Sequence, residues 1–454
     1  MKGNIKKSIE WGVATSSYQI EGAYNQDGRG LSVWDNFSHK SNQIKNNDNG
    51  DIACNHYNLW KDDIKLLSDL GVDNYRFSIS WSRIFPTGLE HKPNNKGIDF
   101  YNRLVDELLY YNIRPFITLF HWDLPQGLED IGGWTNRDII EHFIKYADII
   151  SQKLGDRVKN WITHNEPWCI SNNGYITGTF PPGIKNNGKK YFSTVHHLLL
   201  SHGLSIPVIK KNSKDSEVGI TLNLCPAYPA SSSNYDKVAC EKFDGEFNRI
   251  FLDPIFLGEY PQNILDGFIK SNLISRNDLK VIHNNDLNSI KNQMDFLGIN
   301  YYSRAIIRNN SISEEKNLPV ELVKTSNKTS MNWEIYPKGL YDILIDVNNK
   351  YNIKSIYITE SGCAFDNSPN INGITNDKER IQYHNDHILE VKKALNDGVP
   401  CRGYFAWSLM DNFEWCEGYT QRFGLIWIDY NTQKRLPKNS FWWYKNLIRT
   451  ERLI

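Results

Sequence analysis

The sequence has no long apolar run and no excess of charge of either sign. Lysine plus arginine and aspartate plus glutamate both total 52 in 454 residues, so the formal net charge is zero at neutral pH. Binding to nucleic acid or to an anionic membrane surface would favour a positive excess, and no apolar stretch approaches the roughly 20 residues of a membrane span. We therefore expect neither nucleic acid nor a membrane among the partners.

Cysteine is scarce, and the ligand patterns of metal sites are missing. The seven cysteines include no C-x-x-C pair, which is the spacing of many zinc and redox motifs. Scattered cysteines in odd number favour a reducing compartment, and residues 1–10 lack the apolar segment of a secretory signal. His196, His197 and His202 have spacings poorly suited to a shared metal, so we predict structural or surface roles for them. We expect a cytoplasmic protein without a metal or another cofactor.

Aromatic residues, in contrast, are abundant. They make up 13% of the chain, with 14 tryptophans and 24 tyrosines. One interpretation is core packing, and the other is sugar binding, since pyranose rings expose apolar C–H faces that stack on indoles. Composition alone favours core packing.

Short apolar or β-branched runs alternate with segments of helical periodicity. Strands that alternate with helices indicate parallel βαβ units, and eight such units predict an α/β fold of the closed (β/α)₈ or TIM barrel type with long βα loops. No shift in composition divides the chain, so we predict one domain over residues 1–454. The eight runs are residues 9–14, 73–79, 115–120, 158–164, 218–222, 296–299, 355–359 and 403–407.

The segments between the runs support this prediction. One apolar series with helical spacing ends at Gly71, a second ends at Gly155, and a third, around residues 379–395, ends before Gly398. Glycine is favoured just after a helix because it adopts the left-handed conformation without strain. Segments rich in asparagine and lysine are predicted to be surface loops, and they are residues 41–50, 185–190 and 309–330.

Polar and aromatic side chains stand at or just beyond the carboxyl ends of the predicted strands. In a parallel barrel these ends meet on one face, where active sites lie. Carboxylates, amides, an imidazole and indoles together favour a polyhydroxylated ligand. The residues are Gln19, Arg76, His121, Trp122, Asn165, Glu166, Asn223, Asn300, Tyr302, Glu360, Trp407, Glu414 and Trp415.

Several of these residues, taken singly, have structural alternatives. His121 is compatible with a hydrogen-bonded structural histidine, and Asn300 with a helix cap. Trp407 is compatible with a residue that fills the barrel mouth, and Glu414 with a solvated surface acid. Their convergence at one end of one barrel favours a joint site.

Glu166 and Glu360 each stand at the end of a short apolar run. Two carboxyl groups that face one another across a pocket can cleave a glycosidic bond, because one donates a proton while the other attacks the sugar. The sequence therefore predicts a glycosidase if the fold brings these two residues together.

Motifs along essentially the whole chain resemble the family 1 glycoside hydrolases, the β-glucosidases and their relatives. The chain departs from the family pattern at His164 and Ser361, without loss of a catalytic carboxylate. The motifs are W-G-V-A-T-S-S-Y-Q-I-E-G at 11–22, Y-R-F-S-I-S-W-S-R-I at 75–84, H-W-D-L-P at 121–125, N-E-P at 165–167, G-I-N-Y-Y at 298–302, E-S-G at 360–362 and W-S-L-M-D-N-F-E-W at 407–415.

The resemblance implies a catalytic set and a retaining mechanism. Glu166 would be the acid/base and Glu360 the nucleophile that forms a covalent glycosyl-enzyme. Arg76 and Tyr302 would lie beside Glu360, with Arg76 as the cation that favours its ionised form, and Asn300 would belong to the same catalytic set. Trp407 would stack beneath the sugar, and Trp333 would be the platform for the leaving group. The implied substrate-binding residues are Gln19, His121, Trp122, Asn165, Trp333, Trp407, Glu414, Trp415 and Phe423.

The implied activity is hydrolysis of terminal non-reducing β-D-glucosyl residues, with side activity on β-galactosides and β-fucosides. Phospho-β-glucosidases of the family resemble one another in a Ser and a Lys-x-Tyr after the eighth strand, where this chain has Glu414 and Gln421, so an unphosphorylated sugar is expected. The alternatives are a transglycosylating β-glucosidase, a 6-phospho-β-glucosidase and a non-catalytic carbohydrate-binding barrel. The sequence leaves open the leaving group and whether the chain forms a homo-oligomer.

Overall fold

Eight parallel strands form a closed barrel in the computed structural model, which describes residues 9–309, 320–322 and 325–453. The first strand pairs with both the second and the eighth, so the sheet closes on itself. Each predicted run overlaps one of these strands, and the predicted (β/α)₈ fold class is confirmed. The barrel strands are β1 (Glu10–Ala14), β2 (Asn74–Ser78), β3 (Arg114–Phe120), β4 (Asn160–Asn165), β5 (Glu217–Asn223), β6 (Phe296–Asn300), β7 (Ile356–Ser361) and β8 (Cys401–Trp407).

Helices pack around the barrel, and the three helices predicted from the sequence end directly or shortly before a glycine. The amide of Gly71, at φ 82°, donates to the carbonyl of Leu67 and caps the helix that precedes it. The other two predicted helices also end directly before Gly155 and shortly before Gly398. The helices are α1 (Ser17–Ile20), α2 (Val33–Ser38), α3 (His56–Leu70), α4 (Trp81–Ile84), α5 (Asn95–Tyr110), α6 (Gln126–Asp130), α7 (Ile139–Leu154), α8 (Gly188–Asn212), α9 (Asn234–Asp244), α10 (Ile250–Phe256), α11 (Gln262–Lys270), α12 (Asp286–Ile290), α13 (Pro337–Tyr351), α14 (Lys378–Asn396) and α15 (Asn439–Thr450).

Shorter elements decorate the connections between strands and helices. Two π-helical turns follow β4 and α9, and such turns are frequent at functional sites. The shorter elements are the 3₁₀ turns Lys45–Asn47, Gly133–Thr135, Asp278–Val281 and Trp415–Glu417, the π turns Cys169–Asn173 and Gly245–Arg249, and the strands Ala227–Pro229, Ala305–Asn309, Val320–Leu322, Ile426–Ile428 and Arg435–Pro437.

The predicted surface loops are only partly correct. Residues 310–319 and 323–324 of the loop predicted at 309–330 lie outside the described residues. Within that loop, Val320–Leu322 pairs antiparallel with Ile307–Asn309 as a strand, because pairing with a neighbouring strand is not revealed by the local composition. The loop predicted at 185–190 is cut short by α8, which starts at Gly188.

Aromatic rings fill the barrel interior. Phe116 of β3 packs edge to face with Tyr357 of β7 and Phe405 of β8, at ring-centroid distances of 5.2 and 5.0 Å. Trp407, at the carboxyl end of β8, belongs to the same buried cluster. The interior of the barrel is therefore a packed core, as in other barrels of this type. The carboxyl end of the strands is the end that can hold a ligand.

The three histidines of α8 are structural. All three are buried, and His196 lies between the hydroxyl of Tyr260 and the carboxylate of Asp286. His197 and His202 hydrogen bond to a backbone carbonyl and a threonine hydroxyl. The structural interpretation is confirmed and the surface alternative is wrong, since α8 packs against the barrel.

Membrane and metal features can be assessed in the same part of the chain. Among the residues that the structure describes, no helix has the length and apolar character needed to cross a membrane, and no three histidine, cysteine or acidic side chains gather as ligands for a metal ion. All seven cysteines are free thiols.

Candidate active site

Glu166 and Glu360 both lie at the carboxyl end of the barrel, where Glu166 directly follows β4 and Glu360 lies near the end of β7. Register irregularities precede each of them, between Ile162 and Asn165 and between Ile358 and Glu360, and such irregularities often re-aim side chains next to active sites. Glu166 has a φ of 47°, a left-handed conformation uncommon for a residue with a side chain. Both carboxyl groups are buried, with exposed fractions of 6% and 3%.

Two hydrogen-bond donors hold the Glu360 carboxylate, one on each oxygen. Arg76 Nη1 lies 2.5 Å from Oε1, and the Tyr302 hydroxyl donates to Oε2 at 2.6 Å. Arg76 is itself fixed by bonds to Asn165 Oδ1 at 2.7 Å and to Thr118 Oγ1 at 3.1 Å. The guanidinium is therefore oriented before any ligand arrives, and it places a fixed positive charge against Glu360.

Glu166 has a different set of partners, none of them charged. Asn300 Nδ2 donates to Oε1 at 2.6 Å, and the Cys169 thiol donates to Oε2 at 3.1 Å. Asn300 Oδ1 accepts a hydrogen bond from Thr359 Oγ1 at 2.8 Å, which fixes the orientation of the amide so that its nitrogen faces Glu166. The alternative in which Asn300 caps a helix is therefore wrong.

The two carboxyl groups differ in their electrostatic environment. Burial and, after it, the neighbouring charge of Glu360 raise the pKa of Glu166 to about 7. Burial also raises the pKa of Glu360, but Arg76, Tyr302 and Asn300 oppose this effect. Because only Glu360 contacts a cation directly, it is the member of the pair that ionises first.

A third carboxyl group belongs to the same site. Glu414 lies in the loop after β8, and burial together with the charges of Glu360 and Glu166 raises its pKa to about 8. Gln19 Nε2 lies 3.5 Å from Glu414 Oε2 and 2.9 Å from the carbonyl of Phe413. Glu414 is therefore part of the polar cluster at the barrel mouth, and the alternative of an isolated surface acid is wrong.

His121 offers a hydrogen-bond donor that the protein does not use. Its Nε2 accepts from Asn165 Nδ2 at 3.1 Å, so the proton is assigned to Nδ1, which is buried and has no hydrogen-bond partner among the described residues. Desolvation and the charge of Arg76 hold the pKa of His121 well below its usual value, so the ring stays neutral.

Aromatic rings surround the polar cluster on two sides. The His121 ring lies 6.0 Å from both Trp407 and Trp415, nearly parallel to each, at 18° and 16°. Trp122 donates its indole N–H to the Asn165 carbonyl at 2.8 Å and lies 4.5 Å from Trp415. These rings form an aromatic wall on the side of His121.

The second aromatic group lies on the side of Glu360. Trp333 lies 5.1 Å from the Tyr302 ring and 6.0 Å from Phe423, and its indole is only partly buried. All the residues predicted for the catalytic and substrate-binding sets thus stand around the same end of the barrel, although their individual roles stay predictions.

The sequence analysis missed Cys169 as a site residue. Its thiol contacts Glu166 and accepts a long hydrogen bond from Asn223 Nδ2 at 3.8 Å. The available signal was its position three residues after Glu166, a spacing that returns a side chain to the same side of a helical turn. The burial of Cys169 and the charge of Glu166 hold the pKa of the thiol well above its usual value, so the thiol keeps its proton and acts as a donor.

Comparison with known proteins agrees with this geometry. The model of the family described as glycosyl hydrolase family 1 matches residues 1–453. The chain is 46% identical over 451 residues to the 1,4-beta-D-glucan glucohydrolase of Thermotoga neapolitana, with 98% of each chain covered. It is 44% identical over 455 residues to beta-glucosidase A of Thermotoga maritima, with 99% of each covered. A solved family 1 b-glucosidase from Thermotoga maritima superposes with a TM-score of 0.93 at 43% identity, over 99% of this chain and 100% of that one. The chain belongs to glycosyl hydrolase family 1.

Proposed function

We propose that this protein is a retaining β-glucosidase in which Glu360 is the nucleophile and Glu166 the acid/base. The observation that carries the proposal is the contrast between two buried carboxyl groups in one site. Glu360 is bound by Arg76 and Tyr302, whereas the pKa of Glu166 is raised to about 7. A double displacement needs this starting state, with one group ionised and the other protonated.

The first step forms a glycosyl-enzyme. Glu360 attacks the anomeric carbon while Glu166 donates its proton to the leaving oxygen, so the glycosidic bond breaks and an alcohol departs. The negative charge then resides on Glu166, where the Asn300 amide and the Cys169 thiol donate to its two oxygens. Charge-assisted hydrogen bonds of this kind stabilise the carboxylate that the step creates.

The second step reverses these roles. Glu166 removes a proton from a water molecule, and the water oxygen attacks the anomeric carbon to displace Glu360. The carboxylate of Glu360 that is released again accepts hydrogen bonds from Arg76 and Tyr302. Because both steps invert the anomeric carbon, the product keeps the β configuration.

The sugar is proposed to be an unphosphorylated β-D-glucosyl unit, with side activity on β-galactosides and β-fucosides. The printed names of the relatives support glucoside hydrolysis. Glu414 supports the absence of a phosphate, because its carboxyl group supplies no positive charge and would repel a phosphate once it ionises above its pKa of about 8. Gln421 hydrogen bonds to Ser330 at 2.6 Å and offers no positive charge to a phosphate.

A panel of aryl β-glycosides tests this proposal. We expect the glucoside to have the highest kcat/KM and the galactoside and fucoside to react measurably. The mannoside should be slower by on the order of a hundredfold, because hydrogen bonds to an equatorial 2-hydroxyl strengthen in the transition state. The 6-phosphoglucoside should be slower by at least about a hundredfold because neither Glu414 nor Gln421 offers its phosphate a positive charge. Above the Glu414 pKa of about 8, repulsion by the ionised carboxyl group should widen the gap, and Glu414→Gln should remove that additional loss. A wild-type preference for the phosphorylated sugar would refute the assignment.

The pH profile provides a second test. Glu166 must begin protonated, so kcat/KM should fall as the pH rises through its pKa of about 7. Cys169→Ala removes a donor that lowers this pKa, so the alkaline limb should move upward by about half a pKa unit, and Cys169→Ser should return it. Glu129 has a pKa raised to about 7 by burial outside the site, and Glu129→Gln should leave the limb in place. An alkaline limb unmoved in Cys169→Ala would contradict the role given to the thiol.

The remaining parts of the proposal concern the location, the partner, the assembly and the alternative functions. The free thiols support the predicted cytoplasmic location, and a small β-glycoside such as cellobiose is the proposed partner. A single domain over residues 1–454 stays a prediction, as does assembly into a homo-oligomer. Both catalytic carboxyl groups are present, which argues against a non-catalytic carbohydrate-binding barrel. Transglycosylation would use the same two groups with an alcohol in place of water.

A further inference from the structure

Trp333 lies in a segment, residues 325–336, that we name the platform segment. The segment folds back on itself, because the amide of Thr329 donates to the carbonyl of Trp333 at 2.9 Å and Lys328 forms an antiparallel bridge with Glu334. The ring of Trp333 is partly exposed and contacts Tyr302 and Phe423. Packing thus supports only part of the indole, and its position depends on how the backbone on either side is held.

An ion pair holds the backbone directly next to Trp333. Arg304 Nε and Nη2 donate to the two oxygens of Glu334 at 2.8 and 3.0 Å. The pair is largely shielded, with side-chain exposures of 17% and 14%. Two parallel hydrogen bonds fix direction as well as distance. They therefore restrain the Glu334 side chain and, through it, the backbone next to Trp333.

Aromatic rings restrain Arg304 in turn. Its guanidinium carbon lies 3.5 Å from the ring centroid of Tyr336 and 5.0 Å from that of Tyr228. Stacking on aromatic faces and a planar fork are properties that lysine cannot reproduce. The guanidinium of Arg304 is therefore held in place. Arg304 follows Tyr302 by two residues in the chain.

That chain position connects the platform segment to the reacting groups. Tyr302 donates to Glu360 Oε2, and Arg304 follows it in the loop after β6. On the other side of the segment, the Ser330 hydroxyl and amide both donate to the carbonyl of Ala364, at 2.8 and 3.0 Å. Ala364 lies just after β7, the strand of Glu360. The segment is thus fixed to the two loops that follow β6 and β7.

We propose that the Arg304–Glu334 ion pair is a specificity-determining pair that positions Trp333 for ring-shaped leaving groups. This inference rests on the proposed function. The pair does not touch the anomeric carbon, so both residues are positioning residues. The pair affects the formation of the glycosyl-enzyme from substrates whose leaving group stacks on Trp333, and it has no part in the second step, by which time the leaving group has departed.

The experiment compares two substrates that share the glucosyl unit. Kinetics are measured with an aryl β-glucoside and with β-glucosyl fluoride, whose leaving atom is too small to reach an indole platform. For Glu334→Gln we expect kcat/KM on the aryl glucoside to fall about tenfold through KM, the loss expected for one charge-assisted bond. The kcat/KM on the fluoride should change less than about twofold. Arg304→Lys keeps the charge but loses the fork, and it should show the same selective loss in smaller degree.

Asp346→Asn provides the matched control. It breaks an exposed ion pair with Lys350 on α13 and changes the charge by the same amount, and both substrates should react as with the wild type. Equal losses on both substrates in Glu334→Gln would overturn the proposal, and so would unchanged kinetics on both. If Glu334→Gln fails to fold, Arg304→Lys decides between these outcomes. Failure of the proposed function is distinguishable, because the wild type would then hydrolyse neither substrate.

Discussion

Replacement of Glu360 with alanine is expected to abolish turnover of an aryl β-glucoside, with a loss in kcat on the order of 10⁵–10⁶-fold, as for other covalent nucleophiles. The physical reason is that the variant lacks the carboxylate that attacks the anomeric carbon. Arg76 and Tyr302, which bind the carboxylate at 2.5 and 2.6 Å, would remain but would have no carboxylate to bind. The measurement is the steady-state rate of the purified variant.

Rescue by azide tests whether the loss of turnover arises from the missing carboxylate. In Glu360→Ala the small anion fits the space left by the side chain and attacks the anomeric carbon from the same face. The C–N bond forms as the glycosidic bond breaks, and the product is the inverted α-glucosyl azide, identified by NMR. The rescue is its own folding control, because a misfolded variant would not respond to azide. Retention of wild-type hydrolysis by Glu360→Ala would end the assignment of this residue.

Replacement of Glu166 with alanine should produce a loss that depends on the leaving group. Proton transfer by a positioned side chain contributes about 10²–10⁴-fold, so glycosides of poor leaving groups should lose that much. A dinitrophenyl glucoside, whose phenolate departs without a proton, should form the glycosyl-enzyme at nearly the normal rate and then accumulate it. Burst kinetics distinguish the two cases.

Azide should act from the opposite face in this variant. It would enter the space beside the glycosyl-enzyme that Glu166 and its water normally occupy, displace Glu360 and give the β-glucosyl azide. Cys169→Ala is the matched control, since it removes a partner of Glu166 Oε2 and keeps the carboxylate. That variant should retain proton transfer and form no azide adduct. An α-azide from Glu166→Ala would show that the two roles are reversed.

The contrast between the two variants follows from local electrostatics. Both carboxyl groups are buried, and burial alone would raise the pKa of each in the same direction. Arg76 breaks this symmetry because its guanidinium contacts Glu360 and is fixed by Asn165. Glu166 receives only neutral donors, Asn300 and Cys169. The assignment of roles therefore depends on one cation and its orientation, more than on the glutamates themselves.

The sequence was sufficient for the fold and for most residues of the site, although it did not indicate Cys169. The runs at 73–79 and 355–359 matched strands β2 and β7 to within two residues. The run at 355–359 is nearly continuous in apolar residues, as in strands buried on both faces, whereas the run at 73–79 alternates Tyr75, Phe77 and Ile79 with polar residues, which is the period of a strand. The convergence of strand ends also followed from sequence, since all strands of a closed parallel barrel end on the same face.

Two features of the site depended on contacts between distant parts of the chain. The amide orientation of Asn300 is set by Thr359, 59 positions away, and Arg304 meets Glu334 across 30 positions of the chain. Hydrogen-bond partners of this kind have no periodic pattern along the sequence. Their identification requires coordinates.

The sequence by itself determined which residues gather at the mouth of the barrel, because strand pattern and topology fix position along each strand. Only the tertiary structure decided which neutral donors hold Glu166, which donors remain unsatisfied, as in His121, and how Trp333 is held. The reason is that charge interaction and hydrogen bonding change over a few ångströms, and side chains reach that precision only once distant strands and loops have packed together.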